Sequence, residues 1–570
     1  MSVPTVLSLP LEVPMEDAAR RFTALDWTVL LAYFLGITAF GLWMARKIRT
    51  SGGYFLGDRK LPWWVMVGQA FGTGTNAENP VAQAGASYSA GFATIWWQWK
   101  NMLATPFYWL MAPWYRRSQR TTIGEIVEDR YGRPLALLYT VFAVAFFVFN
   151  QGAMLKGAGR IISVATGEMV SANGVVLAMA ATFILYSFFG GLIASAYTDF
   201  VQGFLIIALS FMLIPAGLAA VGGFSGMKAA LPPWFFDLYN ESSQIDLFTI
   251  AMLTLNGLVG ITAQPHMLSM NATGSSERAG RVGQTYGNFV KRLCTIGWAL
   301  TGLIVAAMIA QRGAALKHQE DAFGYACLHL LGPGFVGLLV ACVLAANMST
   351  CSNFMVNTGA LFTRNVYREY LRPDARDREL LWMGRGSGLG LTLCGILFAL
   401  YVDEVLQAFL FTETIAAFMG IMFLGGFLWR GANRHGAFAA TVAAFGVYYA
   451  LNYLAIGELR LVYRWTAAPF GWALLAGSAA LIMVSLLTRP EDPQRIARFF
   501  DAMNRSSDGE PVPAADRGQD LLLTDLPGWL SRDRWRGFFR RYREDLVGFG
   551  LAWAAVGALI ALAWAIMQIG

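Results

Sequence analysis

Apolar residues along this chain run in unbroken blocks of about twenty, the length that a helix needs to cross the roughly 30 Å hydrocarbon layer of a bilayer. The blocks are apolar all round rather than striped, so the helices they predict are buried in lipid or protein on every side. Candidate spans are 24–46, 62–90, 93–115, 135–157, 172–190, 196–221, 247–270, 288–310, 333–362, 380–401, 404–428, 436–455, 466–487 and 547–568. The fold class that follows is an all-α integral membrane protein with about fourteen transmembrane helices.

The loops between the blocks alternate in charge. Arg46, Lys47, Arg49, Arg59 and Lys60 follow the first span, whereas the next loop, 87–94, has no basic residue. Arg116, Arg117, Arg120, Arg130 and Arg133 follow the third span, and the pattern resumes at Arg278 and Arg281, at Arg364, Arg368, Arg372, Arg376 and Arg378, and at Arg430 and Arg434. Basic short loops stay in the cytoplasm, which predicts a multi-pass protein of the cell (inner) membrane with both termini outside. No basic, short-apolar, small-residue leader is visible at the start, so the first span is expected to stay in place.

Composition agrees: 56% of the 570 residues are hydrophobic and 14% charged. The net charge of +7 is spent on the loops; no basic face of a soluble domain suggests nucleic-acid binding. Five scattered cysteines indicate neither a disulfide framework nor a metal cluster. The segment 488–546 differs from the rest, with a Pro- and Asp-containing middle (506–518) that reads as disordered and two amphipathic flanks, 494–504 and 529–543, fit to lie on the inner leaflet or on the protein's inner face.

Two spans contain helix breakers: Gly72, Gly74 and Pro80 in the second, and Asn256, Gly257, Gly260 and Pro265 in the seventh. Unwound backbone inside a bilayer is tolerated only where protein or a polar cavity satisfies it. The offset of five spans suggests two inverted five-helix repeats with their sites at the junction near the midplane. Candidate oxygens lie there. Ala346, Ser349 and Thr350, in Ala345-Ala346-Asn347-Met348-Ser349-Thr350, are related as i, i+3 and i+4 and stack on one helical face. Phe71-Gly72-Thr73-Gly74-Thr75-Asn76 is a second source. Together they suggest an ion site; the alternative is that both hydroxyls bond back to their own helix.

Four stretches in order resemble the sodium:solute symporter family over about 24–490. They are Tyr54-Phe55-Leu56-Gly57-Asp58-Arg59-Lys60-Leu61-Pro62-Trp63, Thr122-Ile123-Gly124-Glu125-Ile126-Val127-Glu128-Asp129-Arg130-Tyr131, Gly190-Gly191-Leu192 with Thr198-Asp199-Phe200-Val201-Gln202, and the 345–350 stretch. The resemblance implies the leucine-transporter-type fold. It also implies a sodium ion held by main-chain carbonyls of Gly72, Thr75 and Ala346 and the hydroxyls of Ser349 and Thr350. Oxygen donors without a counter-charge suit such a hard cation. Peripheral helices at 24–46, 435–487 and 547–570 would then flank a transport core at 61–430, after an extracytoplasmic segment 1–23.

Glu78 and Asn79 resemble the acid and amide that contact sugar in the sodium/galactose members, and Lys100 falls where the family's cavity lies. Charges at this depth cost at least about 2.5 kcal/mol. Glu78 and Lys100 are therefore expected to face inward and pair, as a cradle for a polar or zwitterionic solute; the alternatives are a plain helix-to-helix ion pair or Lys100 snorkelling outward. Gln264-Pro265-His266 is similar to the sodium/proline members, with His266 a substrate contact or a hydrogen-bonded structural residue. Lys291 resembles a sugar-site lysine in placement, yet its position near the cytoplasmic end of its span predicts interfacial anchoring. Glu413 is an intramembrane acid where relatives carry small residues, and thus a candidate for a second cation, a substrate contact or a bond to a neighbouring helix. Asp199 is expected near the inner end of the sixth span, drawing sodium toward its exit or capping the helix. Phe409 stands where the sugar members carry an amide, so the solute is left open among sugars, amino acids and carboxylates.

The predicted function is sodium-driven symport of a small polar solute by alternating access. The alternative is a sensor or regulatory subunit on the same fold that binds solute without moving it. A hydrolase finds no support: the chain has no GxSxG and no HExxH motif.

Overall fold

A computed structural model of the chain describes residues 22–46, 50–76, 78–166, 169–240, 245–401, 405–503, 521–524 and 537–570. The first half contains α1 (Ala24–Ala45), α2 (Ser51–Leu56), α3 (Trp63–Gly74), α4 (Glu78–Ala90), α5 (Trp96–Trp99), α6 (Thr105–Arg117), α7 (Ile123–Tyr131), α8 (Arg133–Ala165), α9 (Ala172–Phe211), α10 (Leu213–Val221) and α11 (Gly223–Ala230). Then come α12 (Leu247–Ala263), α13 (Met267–Ala272), α14 (Glu277–Arg312), α15 (Ala322–Leu330), α16 (Phe335–Phe362) and α17 (Asp377–Tyr401). The chain ends with α18 (Val405–Leu428), α19 (Arg434–Ile456), α20 (Ala467–Leu487), α21 (Pro493–Met503), α22 (Phe538–Arg541) and α23 (Arg543–Gln568). Among the described residues, ten stretches are long and apolar enough to cross a membrane by length and composition.

Burial separates an inner group from a shell. The apolar windows of α14, α16 and α18 are 89% buried inside the protein, against 22% for α1 and α23 and 28% for α19 and α20. The first three pack on protein all round; the other four leave Leu, Trp and Phe outward, as lipid-facing helices do.

Three boundaries differ from the sequence expectation. The fifth and sixth spans are not separated by a loop: helix runs over 172–221, and at about 1.5 Å per residue its roughly 75 Å would be more than twice the hydrocarbon thickness. The turn is made at Gly191, whose φ of 51° and ψ of −154° interrupt α9. A Cβ there would lie 2.7 Å from the Tyr54 carbonyl oxygen, so only glycine fits. In the seventh span, Asn256, Gly257 and Gly260 stay helical, and the break falls at 264–266. Gln264 precedes Pro265 and is pushed to an extended ψ of 124°. The eighth span begins eleven residues early, at Glu277, because Gly283 and Gly287 let α14 run against the backbone of Met66 and Val67 in α3.

The two broken helices are tied at one end. Leu61 N–H donates to the Thr273 carbonyl (3.1 Å) and Ser275 N–H to the Leu61 carbonyl (2.7 Å), joining the lead-in of α3 to the exit of α13. Arg116 of α6 donates to the carbonyls of Ala272 (3.1 Å), Gly274 and Ser275 (3.2 Å), satisfying the end of α13. Arg130 does the same for α18, donating to Gly426 (2.9 Å), Trp429 (3.1 Å), Arg430 (3.4 Å) and Ala432 (2.8 Å).

Of the two amphipathic flanks, α21 packs on the protein: Phe499 and Phe500 are buried, and the Phe499 ring lies 5.1 Å from that of Phe427. Most of 1–23, all of 506–518 and most of 529–543 fall outside the described residues.

Candidate functional site

The first break leaves Thr75 extended (φ −128°, ψ 107°) between α3 and α4, and Pro80 falls in the first turn of α4, where a missing N–H costs nothing. Thr350 on α16 faces this break, 278 residues away in sequence from Gly72. Its hydroxyl oxygen lies 3.4 Å from the Gly72 carbonyl, 3.1 Å from that of Thr73 and 3.4 Å from that of Ala346, with the Asn76 side-chain oxygen also in contact. A hydroxyl has one proton to give. Four acceptors around it are more than it can satisfy, and such an oxygen-rich surface fits a small hard cation.

Ser349 donates to Asp199, whose second oxygen accepts from the Thr73 hydroxyl at 3.0 Å. Asp199 is fully buried eight residues past the Gly191 turn, so it does not cap a helix in solvent as the sequence allowed. The Thr75 hydroxyl is buried without a hydrogen-bond partner. Of the five residues grouped from the sequence, the structure thus brings Gly72, Ala346 and Thr350 together and joins Ser349 to them through Asp199 and Thr73, whereas the carbonyls around the Thr350 hydroxyl do not include that of Thr75. It adds Thr73, Asn76 and Asp199, all within or beside the quoted motifs.

Beyond the break lies a cavity of about 50 Å³ lined by Asn76, Gln98, Lys100, Gln264, His266, Lys291, Arg292, Phe409 and Glu413 among others. The expected pairing of Glu78 with Lys100 is not formed. Lys100, in the turn after α5, sets its ammonium 3.0 Å from Glu413 and over the Phe409 ring at 5.1 Å. Gln264, freed by the second break, donates to the same Glu413 oxygen at 3.0 Å. Glu78, the first residue of α4, is fully buried at the positive end of that helix. It accepts from the Asn76 amide (2.7 Å) and the Asn79 amide (3.2 Å), and its other oxygen has no partner.

Lys291 is the clearest correction. Fourteen residues into α14, about 21 Å from its start, it is buried in the cavity wall rather than anchored at an interface. Its ammonium donates to the Gly74 carbonyl at the end of α3. Arg292, which the sequence reading passed over, is also buried and donates to the Gln98 carbonyl at 3.1 Å. The signal was the basic doublet inside an apolar span; the misplaced helix start hid its depth. His266 packs against the rings of Phe146 (5.9 Å) and Phe354 (5.2 Å), which also meet each other, with Nδ1 unpartnered.

The unwound backbone is otherwise satisfied by tyrosines. Tyr115 donates to the Thr262 carbonyl (2.9 Å) and Tyr139 to that of Ala263 (2.7 Å), the two oxygens released where α12 ends.

Known proteins share this architecture. A solved sodium-coupled sialic acid symporter superposes with a TM-score of 0.70 at 17% identity, covering 83% of this chain and 99% of its own. A nucleobase-cation-symport-1 family transporter gives 0.51 at 12% identity, covering 79% of this chain and 98% of its own. These likenesses show a transporter fold of the leucine-transporter type. In sequence, the chain is 27% identical to the osmoregulated proline transporter OpuE of Bacillus subtilis over 83% of this chain and 96% of the relative. It is 24% identical to the sodium/glucose cotransporter of Vibrio parahaemolyticus over 75% of this chain and 85% of the relative. The sodium:solute symporter family model matches residues 54–444, and the chain belongs to that family.

Proposed function

We propose that the chain couples inward movement of sodium to uptake of a small polar organic solute across the cell membrane. It is a transporter and not an enzyme. One observation carries the ion site: three carbonyls, an amide oxygen and the Thr350 hydroxyl converge from the α3 break and from α16. In this reading the carbonyls of Gly72, Thr75 and Ala346 and the hydroxyls of Ser349 and Thr350 hold sodium. Asp199, bonded to Ser349, lies on its way out. The solute occupies the adjoining cavity, facing Glu78, Asn79, Lys100, Gln264, His266 and Glu413. A membrane potential supplies about 2.3 kcal/mol per charge per 100 mV, so one or two sodium ions suffice for steep accumulation.

The finer architecture belongs to the same proposal: fourteen spans, a 61–430 core of two inverted five-helix repeats, a cytoplasmic 488–546 segment and both termini outside. The offset of the α3/α4 and α12/α13 breaks supports the repeat, and the basic loops support the orientation. Proteoliposomes with an imposed sodium gradient test the function. Uptake is expected to require sodium and to collapse in Ser349→Ala and Thr350→Ala; uptake that survives both would refute the assigned ion site.

A further inference from the structure

The side chains that line the cavity carry more positive than negative charge. One carboxylate, Glu413, lines it against three cations, Lys100, Lys291 and Arg292; Glu78, bonded to the lining residue Asn76, is the other carboxylate beside it. Lys100 and Glu413 pair with each other and cancel. Among the described residues, neither Lys291 nor Arg292 forms an ion pair; each donates to a backbone carbonyl. With Glu78 and Lys291 both charged, or both neutral after proton exchange, their sum is zero. Arg292 cannot be deprotonated in a protein, so one positive charge is left over. Protonation of His266 would only add to it.

An uncompensated buried charge costs several kcal/mol unless a partner arrives. The lining also presents acceptors without donors, the side-chain oxygens of Asn101, Asn150 and Gln284. Resting on the symport reading above, we infer that the solute is a small carboxylate that also bears hydroxyl or similar donors, net negative rather than neutral or zwitterionic. Its carboxylate meets Lys291 and Arg292, a planar fork suited to a carboxylate's two oxygens. Its donors meet the amide oxygens of Asn101, Asn150 and Gln284. A neutral sugar would leave the extra charge in place, and a zwitterion would add as much positive as negative charge.

The test is the melting temperature of the purified full-length protein, with and without sodium, against matched acids and neutral counterparts: lactate and propane-1,2-diol, glycerate and glycerol, gluconate and glucose. Proline is the zwitterion of the panel. At least one acid is expected to raise the melting temperature in sodium while its neutral counterpart and proline do not. Lys291→Gln is expected to weaken binding of that acid about tenfold or more, with Lys291→Arg restoring it. Shifts by glucose or proline alone, equal shifts within every pair, or no shift by any acid would overturn the carboxylate assignment and leave sodium symport standing. Failure of sodium itself to change the melting temperature or any ligand response would count against the symport reading instead.

Discussion

Removing the carboxylate of Glu413 strands Lys100 in the interior, and the size of the effect follows from the geometry. Lys100 and Glu413 are 1% and 7% exposed at their side chains and 3.0 Å apart. At an effective dielectric of about 20, that separation corresponds to roughly 5 kcal/mol of attraction, most of it offset by the desolvation of both groups. Glu413→Gln keeps the volume and an acceptor oxygen but leaves the buried ammonium without a counter-charge, so a loss of about 3–5 kcal/mol is expected. With about 2.1 cal/mol/K of unfolding entropy per residue over 570 residues, this lowers the melting temperature by roughly 3–4 °C if the chain unfolds as a unit. Replacing both partners, in Lys100→Met/Glu413→Leu, removes the stranded charge as well and is expected to recover at least half of the loss. The assay is a double-mutant cycle by thermal unfolding of the purified protein. If the double variant is destabilised by the sum of its single changes, the two side chains are not coupled and the reasoning fails.

Arg130→Lys keeps the charge but cannot reach four carbonyls at the end of α18, and a destabilisation above about 2 kcal/mol is expected from denaturant or thermal unfolding. Tyr139→Phe removes the donor to the Ala263 carbonyl at the second break; about 1–2 kcal/mol should be lost, and a melting temperature equal to that of the native chain would show the hydroxyl to be idle. Glu491, between α20 and α21, has its carboxyl raised by burial but lowered more by Arg434, whose side chain and backbone amide donate to it, and by Arg495; the net shift is below the usual carboxylate range. A carboxyl with a depressed folded-state pKa stabilises above its unfolded value and loses that contribution as pH falls through the folded one. The gap in melting temperature between the native chain and Glu491→Gln should therefore be full above about pH 5 and close below about pH 4.

How much of this was legible in the sequence depended on whether a feature is local. Apolar length placed the helices, because the bilayer sets one requirement for all of them. Pro265 and the Gly72/Gly74 pair marked both breaks, since a break has a local cause. The i, i+3, i+4 rule put Ala346, Ser349 and Thr350 on one face because a helix fixes that spacing. Partners were not legible: Lys100 chose Glu413 over Glu78 through a contact across 313 residues that no local rule encodes. Nor was the depth of Lys291. The polar stretch before it looks like a loop until α14 is seen packed glycine-first against α3, with Arg281 bonded to Asp545 of α23.

The bond from Lys291 to the Gly74 carbonyl has a thermodynamic consequence. Gly74 stands one residue from Thr73 and two from Gly72, whose oxygens surround Thr350. A guest that recruits the ammonium group for itself therefore draws on the same turn of backbone that shapes the alkali-metal nest. In the proposed symport, occupancy of one compartment is therefore expected to alter the grip of the other, and by linkage the influence runs equally in both directions. Obligatory co-movement of two unlike cargoes is, in that proposed symport, thereby written into one turn of backbone, residues 72–74.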